Sequence, residues 1–279
     1  MRAIRPAVDS SPWIASTCND PILRGCLDSI AAHNGAMPKA LCITGVSGSG
    51  VTALMQRTAG RARRLGRRVL LLDDAPFPGN KYLHAKLLHC LGVGTSSSIP
   101  CYDGLSTLCA GILELRQYDV LIVEDVQRYK DVEWRGVEPN MATLVAISRL
   151  QRPPLIILSG LTDGVEHHHS RLVDAGIPSE LEVLQPMELG DDYNALVGDI
   201  CRAYSLGEDF LATLDILEVY RESHGRIGLT VRVIQWLELQ VRAIAHASQS
   251  RIYQQLFVEN EHDEYSDDGI GDPQPATRV

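Results

Sequence analysis

The chain has 279 residues, 45 % hydrophobic and 22 % charged, which suffices for a buried core in one large α/β domain with a helical appendage, or in two small domains. No run reaches the ~18 uninterrupted apolar residues of a membrane span, and the start "MRAIRPAVDSSPW" lacks the apolar centre of a signal peptide, so the expectation is a cytoplasmic protein without a membrane partner. The formal charge of −9 argues against a nucleic-acid partner only superficially: from Glu259 onward there are seven acidic residues and one arginine, so −6 of it belongs to a tail.

The first nineteen residues read as a loose N-terminus. Ile22, Leu23, Leu27 and Ile30 then share one face of a helix that Asn34-Gly35 stops. "ALCITG" (40–45) is an apolar run of strand length, and "GVSGSGVT" (45–52) is a glycine-rich turn. "VTALMQRTAGRARRLG" (51–66) is a helix. The pattern repeats with a strand at 68–74, helices in "KYLHAKLLHCLGV" and "YDGLSTLCAGILELRQ", a strand at 119–125, a helix in "PNMATLVAISRLQ" and a strand at 153–160. Near-continuous apolar strands separated by helices predict a parallel sheet covered on both faces. Beyond residue 187 only helical spacing remains, so the expected organisation is an α/β domain over 20–187, a helical lid over 188–258 and an acidic, disordered tail over 259–279. Seven scattered cysteines (18, 26, 42, 90, 101, 109, 201) form no CxxC pair and read as small core residues rather than as metal ligands or disulfides.

The turn carries the chemistry. Gly45-Val46-Ser47-Gly48-Ser49-Gly50-Val51-Thr52 matches the phosphate-loop pattern G-x-x-x-x-G-K-[ST] at both glycines and at the final hydroxyl. Glycines let backbone N–H groups converge on phosphate oxygens, and the following helix N-terminus adds favourable partial charge. Thr52 is the candidate magnesium ligand. Val51 stands where a lysine would neutralise the outer phosphates; the alternative reading is a merely structural turn.

Two strand ends join it. The strand "DVLIVED" ends in Glu124-Asp125, a carboxylate pair for magnesium and for polarising an attacking water, in the reverse of the usual order. Adjacent strand residues point oppositely. Either Asp125 takes the metal-side role after a local shift, or Glu124 takes it with its longer reach; the plain alternative is two solvated carboxylates. In "LIILSGLTDG", Ser159 and Thr162 are candidate sensors of the outermost phosphate.

That order of motifs, with "ESHGRIGLTVRVIQWLELQVRAIAHASQSRIYQQLF" near the C-terminus, resembles the TniB/TnsC family of AAA+ transposition regulators over residues 20–258. The anchors are "LCITGVSGSGVT", "DVLIVEDVQ" and "RPPLIILSGLTDG". The resemblance implies an AAA+ P-loop NTPase-like fold, ATP and Mg²⁺ as ligands, homo-oligomerisation as a ring or filament on DNA, and a link between transposase and a TniQ-like partner. Four departures weaken the implied hydrolysis. Val51 replaces the lysine, the carboxylates are inverted, Leu161 replaces a threonine, and Glu180, after Ser179, stands where the family carries an arginine that reaches the neighbouring subunit's nucleotide. Losing such an arginine costs on the order of 10³-fold in rate or more. Arg171 could substitute only if the loop is rearranged. The rival readings are a competent regulatory ATPase and a phosphate-loop enzyme acting on a small molecule.

Arg57, Arg61 and Arg64 form a helical stripe that could contact DNA phosphates, against the commoner solvated face. His167, His168 and His169 read as an exposed loop, because adjacent loop histidines diverge. Trp236, Leu237 and Ile244 read as core or subunit packing.

Overall fold

A computed structural model of the chain describes residues 12–73, 82–93, 103–129 and 138–262, with side chains to residue 244. Residues 1–11, Cys101 and the acidic tail from residue 263 fall outside these ranges. Five parallel strands form one sheet in the order β2-β3-β4-β1-β5: β1 (Ala40–Gly45), β2 (Val69–Leu72), β3 (Val120–Val123), β4 (Leu155–Gly160) and β5 (Ser179–Leu184). The helices are α1 (Asn19–Ala32), α2 (Val51–Arg64), α3 (Leu83–Cys90), α4 (Thr107–Arg116), α5 (Pro139–Ser148) and α6 (Thr162–Asp174), then α7 (Asp191–Ala203), α8 (Glu208–Thr213), α9 (Ile216–Ser223) and α10 (Ile227–His262). The first compact unit runs to Val233 and the second begins at Ile234, within α10.

The apolar runs become strands because both sheet faces are covered. On one face Leu41, Ile43, Val120, Ile122, Leu155 and Ile157 pack with Leu23 and Ile30 of α1 and with Leu54, Met55 and Ala59 of α2. On the other, Ala40, Cys42, Leu121, Val123, Ile156 and Leu158 pack with Leu87, Leu113, Leu144 and Leu172 of α3 to α6. This strand alternation decides where each site residue points.

Two elements depart from the reading of the sequence. β5 is a strand where the sequence predicts none: "SELEVL" carries two glutamates, and only Leu184 is buried, because this strand sits at the sheet edge beside β1. The three histidines are helical. They belong to α6, whose buried positions Val165, His168 and Leu172 form a sparse face that few apolar residues announce. His168 Nδ1–H donates to the Gly164 carbonyl at 2.8 Å, and its ring is 1 % exposed. A third difference is length: α10 continues to His262, past the expected start of the tail.

Within the first unit, α7, α9 and the start of α10 are tied by Tyr193. Its fully buried hydroxyl bonds Ser223 Oγ at 2.8 Å and Thr230 Oγ1 at 3.0 Å, and its ring meets Tyr220 edge-on.

Candidate functional site

The strand tips face one end of the sheet, and the glycine-rich turn leaves β1 there to enter α2. Ser49 N–H closes a turn onto the Val46 carbonyl at 3.0 Å. Gly48, the third residue of that turn, has φ +84°, and Gly50, capping α2, has φ +100°. Only glycine adopts these values without strain. A Cβ on Gly45 would collide with Ser49 Oγ, so the loop's curl also needs that glycine. Ser49 is 3 % exposed, and its hydroxyl finds no partner.

Val51 does not face this cradle alone. It packs with the hydrophobic cluster under α1 and α2, 3.0 Å from where a Gly45 Cβ would stand. Thr52 is exposed in the first turn of α2. The N–H groups of that turn have no intrahelical acceptor, which is what an anion requires. The loop therefore fits a phosphate through its backbone, while the side chain at position 51 brings no charge.

The paired strand tips sort the carboxylates. Glu124 N–H still donates to the Leu72 carbonyl, so the β3 alternation continues and places Glu124 on the face of Ile122, which is the α2 face. The parallel register continued by one residue sets it beside Ser159 of β4. Both are buried, at 2 % and 1 % exposure. Asp125 has left the strand: its φ is +52°, and its carboxylate binds Arg128 at 2.9 Å and accepts from Gln127 Nε2 at 3.2 Å. Glu124 thus keeps the direction of the strand and Asp125 does not. Thr162 lies on the opposite face at the start of α6, where its hydroxyl accepts from Thr44 Oγ1 at 3.2 Å. Ser159, not Thr162, is beside the carboxylate.

Gln127 organises this corner. Its Oε1 accepts from Leu161 N–H at 3.1 Å, and its backbone lies 2.7 Å from where a Gly164 Cβ would be. A side chain on Gly160 would strike the same amide. The sequence signal for this role is the pair Gly160 and Gly164, each without a Cβ where Gln127 approaches.

The remaining candidates are spread out. Arg57 is half-buried with its guanidinium 5.9 Å from the centre of the Trp13 ring, and Arg61 and Arg64 are exposed on the same helix. Burial, then repulsion from Arg61 and Arg64, pulls the Arg57 pKa down, so the three arginines sense one another. Arg171 is engaged within the chain by Glu138 at 2.8 Å, and Glu180 by Lys39 at 2.8 Å. Glu180 is the second residue of β5, at the sheet end opposite the phosphate loop. Trp236 and Ile244 are exposed on α10. Among the described residues, no three His, Cys, Asp or Glu side chains group as metal ligands, and no helix is long and apolar enough to cross a membrane.

The entry to α10 adds residues that the sequence did not single out for the site. Arg226 Nη1 donates to the Ser47 carbonyl at 3.1 Å, and Leu229 N–H to the Gly48 carbonyl at 3.0 Å.

Solved structures share this architecture. AMPPCP-bound DnaA from Aquifex aeolicus aligns with 91 % of this chain and 72 % of its own, at 15 % identity and a TM-score of 0.54. The replication initiator DnaA bound to AMPPCP and single-stranded DNA aligns with 95 % and 75 %, at 17 % identity and 0.51. Cdc6p from Pyrobaculum aerophilum aligns with 82 % and 63 %, at 15 % identity and 0.55. The fold is thus that of an AAA+ P-loop NTPase, a parallel sheet flanked by helices with a helical C-terminal region. No family model and no curated protein matches the sequence.

Proposed function

We propose that this chain is a TniB/TnsC-like accessory protein of DNA transposition. It binds ATP through the backbone of the 45–52 loop, assembles as a homo-oligomer on DNA, and links a transposase to a TniQ-like partner, with weak or no hydrolysis. The observation that carries the nucleotide part is the loop itself: its glycines hold the phosphate-accepting curl while Val51 is packed with apolar side chains. Magnesium, if drawn in with the nucleotide, would be met by the Thr52 hydroxyl and Glu124. The DnaA neighbours hold AMPPCP, and one holds single-stranded DNA, which supports the same two ligand classes here. The transposition part rests on the resemblance of the motifs and of "ESHGRIGLT" to that family.

Weak turnover follows from charge. Neither position 51 nor Glu180 supplies a cation, and Asp125 is held by Arg128 and Gln127. The competing reading, a working regulatory ATPase, is favoured by Glu124 and Ser159 sitting side by side on the α2 face.

Sedimentation of the protein on duplex DNA, with and without ATP, tests the proposal. ATP is expected to promote assembly in the wild type, Thr52→Ala to reduce the response, and Val51→Lys to strengthen it. An ATP-independent result in the wild type refutes the nucleotide part. Steady-state hydrolysis, measured with and without DNA, separates the two readings, and a robust DNA-stimulated rate would favour the regulatory ATPase.

A further inference from the structure

Two carbonyl oxygens of the phosphate loop are gripped from one side by the start of α10. Arg226 reaches the Ser47 oxygen, and the Leu229 N–H reaches the Gly48 oxygen. The approach is close enough to need glycine on both partners. A Cβ on Gly228 would stand 2.8 Å from the Gly48 oxygen, and one on Gly48 would stand 2.5 Å from Leu229 Cγ. The guanidinium is itself steadied by Nε donating to the Ser223 carbonyl at 3.0 Å. Thr230 Oγ1 caps the Arg226 carbonyl at 3.1 Å and connects the arginine to the buried Tyr193 hydroxyl.

The consequence is geometric. A trans peptide unit holds its C=O and N–H antiparallel, so fixing the Ser47 oxygen on the α10 side fixes the Gly48 N–H on the other. Holding the Gly48 oxygen does the same for Ser49 N–H, which closes the turn. Without such contacts, peptide planes flanking two left-handed glycines turn over readily. A lysine at position 51 would draw the loop around an anion by its charge. With Val51 there, affinity has to come from donors already in place, because a preset site spends less on ordering when the ligand arrives.

We propose that Arg226 and Leu229 form a positioning clamp that keeps the 45–52 loop in its anion-accepting conformation, so that it takes the phosphates of a nucleoside triphosphate through preset backbone N–H groups. By linkage, phosphate binding stabilises the clamp in return, and so reports loop occupancy to the start of α10. This rests on the nucleotide reading for its ligand, but the clamp itself is independent of it.

Hydrogen exchange of the full chain without nucleotide measures the clamp directly. In Arg226→Ala, the two hydrogen-bonded amides at the clamp, Ser49 N–H on the Val46 carbonyl and Leu229 N–H on the Gly48 carbonyl, are expected to exchange on the order of tenfold faster or more, the size expected for losing a hydrogen bond from a charged donor. Arg226→Gln, which keeps a donor, falls between, and Gly228→Ala, which pushes a methyl against the Gly48 oxygen, resembles Arg226→Ala. Amides of β3 stay protected in all three, reporting an intact sheet; if Arg226→Ala loses that protection, Arg226→Gln and Gly228→Ala decide. Calorimetric affinities for ATP and for inorganic tripolyphosphate weaken in the same order. Unchanged loop exchange, with affinity falling equally in Arg226→Ala and Arg226→Gln, would overturn the clamp and make Arg226 a direct phosphate contact. If the wild type binds neither ligand, the nucleotide reading fails, while the exchange rates still decide the clamp.

Discussion

Val51 shows how one residue redirects a site. The backbone around it keeps the curl and the left-handed glycines that a phosphate needs, and its side chain joins the apolar cluster beneath. Glu124 and Asp125 divide likewise: adjacent in sequence, they part because Asp125 turns to φ +52° and pairs with Arg128, while Glu124 stays with the strand. The buried thiols give a test at this scale. Burial pushes Cys26 up to about 12 and Cys42 up to about 11, from an ordinary value of 9.0, with the Glu182 carboxylate adding to the rise at Cys26. Both thiols stay protonated in the fold over a range where the unfolded chain ionises. Stability is therefore unaffected by them below pH 9 and falls as pH climbs from there towards 11 and 12, by up to about 1.4 kcal/mol per pH unit for each thiol. Denaturant midpoints across pH 8 to 11 check this, and Cys26→Ala should flatten the decline.

At the scale of elements, four strands were legible because parallel strands buried on both faces must be apolar throughout, and β1 to β4 are. β5 was not, because an edge strand with exposed Glu180 and Glu182 has no such run. α6 was hidden for a related reason: Gly164 and three histidines lower helix propensity, and only contact with the sheet picks out Val165, His168 and Leu172 as a face. The C-terminal helices were legible from spacing, but what joins them was not. Tyr193→Phe removes one hydroxyl bonded to both Ser223 and Thr230. It is expected to cost about 1–2 kcal/mol in thermal or denaturant unfolding. A cost near zero would mean that the two remaining hydroxyls satisfy each other.

At the scale of the molecule, a net charge of −9 coexists with the positive α2 stripe of Arg57, Arg61 and Arg64. If this stripe meets DNA phosphates, Arg61→Ala and Arg64→Ala should each lower the slope of log affinity against log salt by about 0.9 without changing sequence preference. An unchanged slope would leave the stripe as a solvated helix face. The sequence by itself determined the succession of β1 to β4 and the helices between them, the glycine loop, the missing lysine and the carboxylates after β3, since each depends on residues close together in the chain. Tertiary structure alone decided which carboxylate faces α2, that Ser159 rather than Thr162 stands beside it, and that Arg226 and Leu229 hold the loop. Those outcomes depend on strand register and on a contact across 179 residues of chain, which no local pattern encodes.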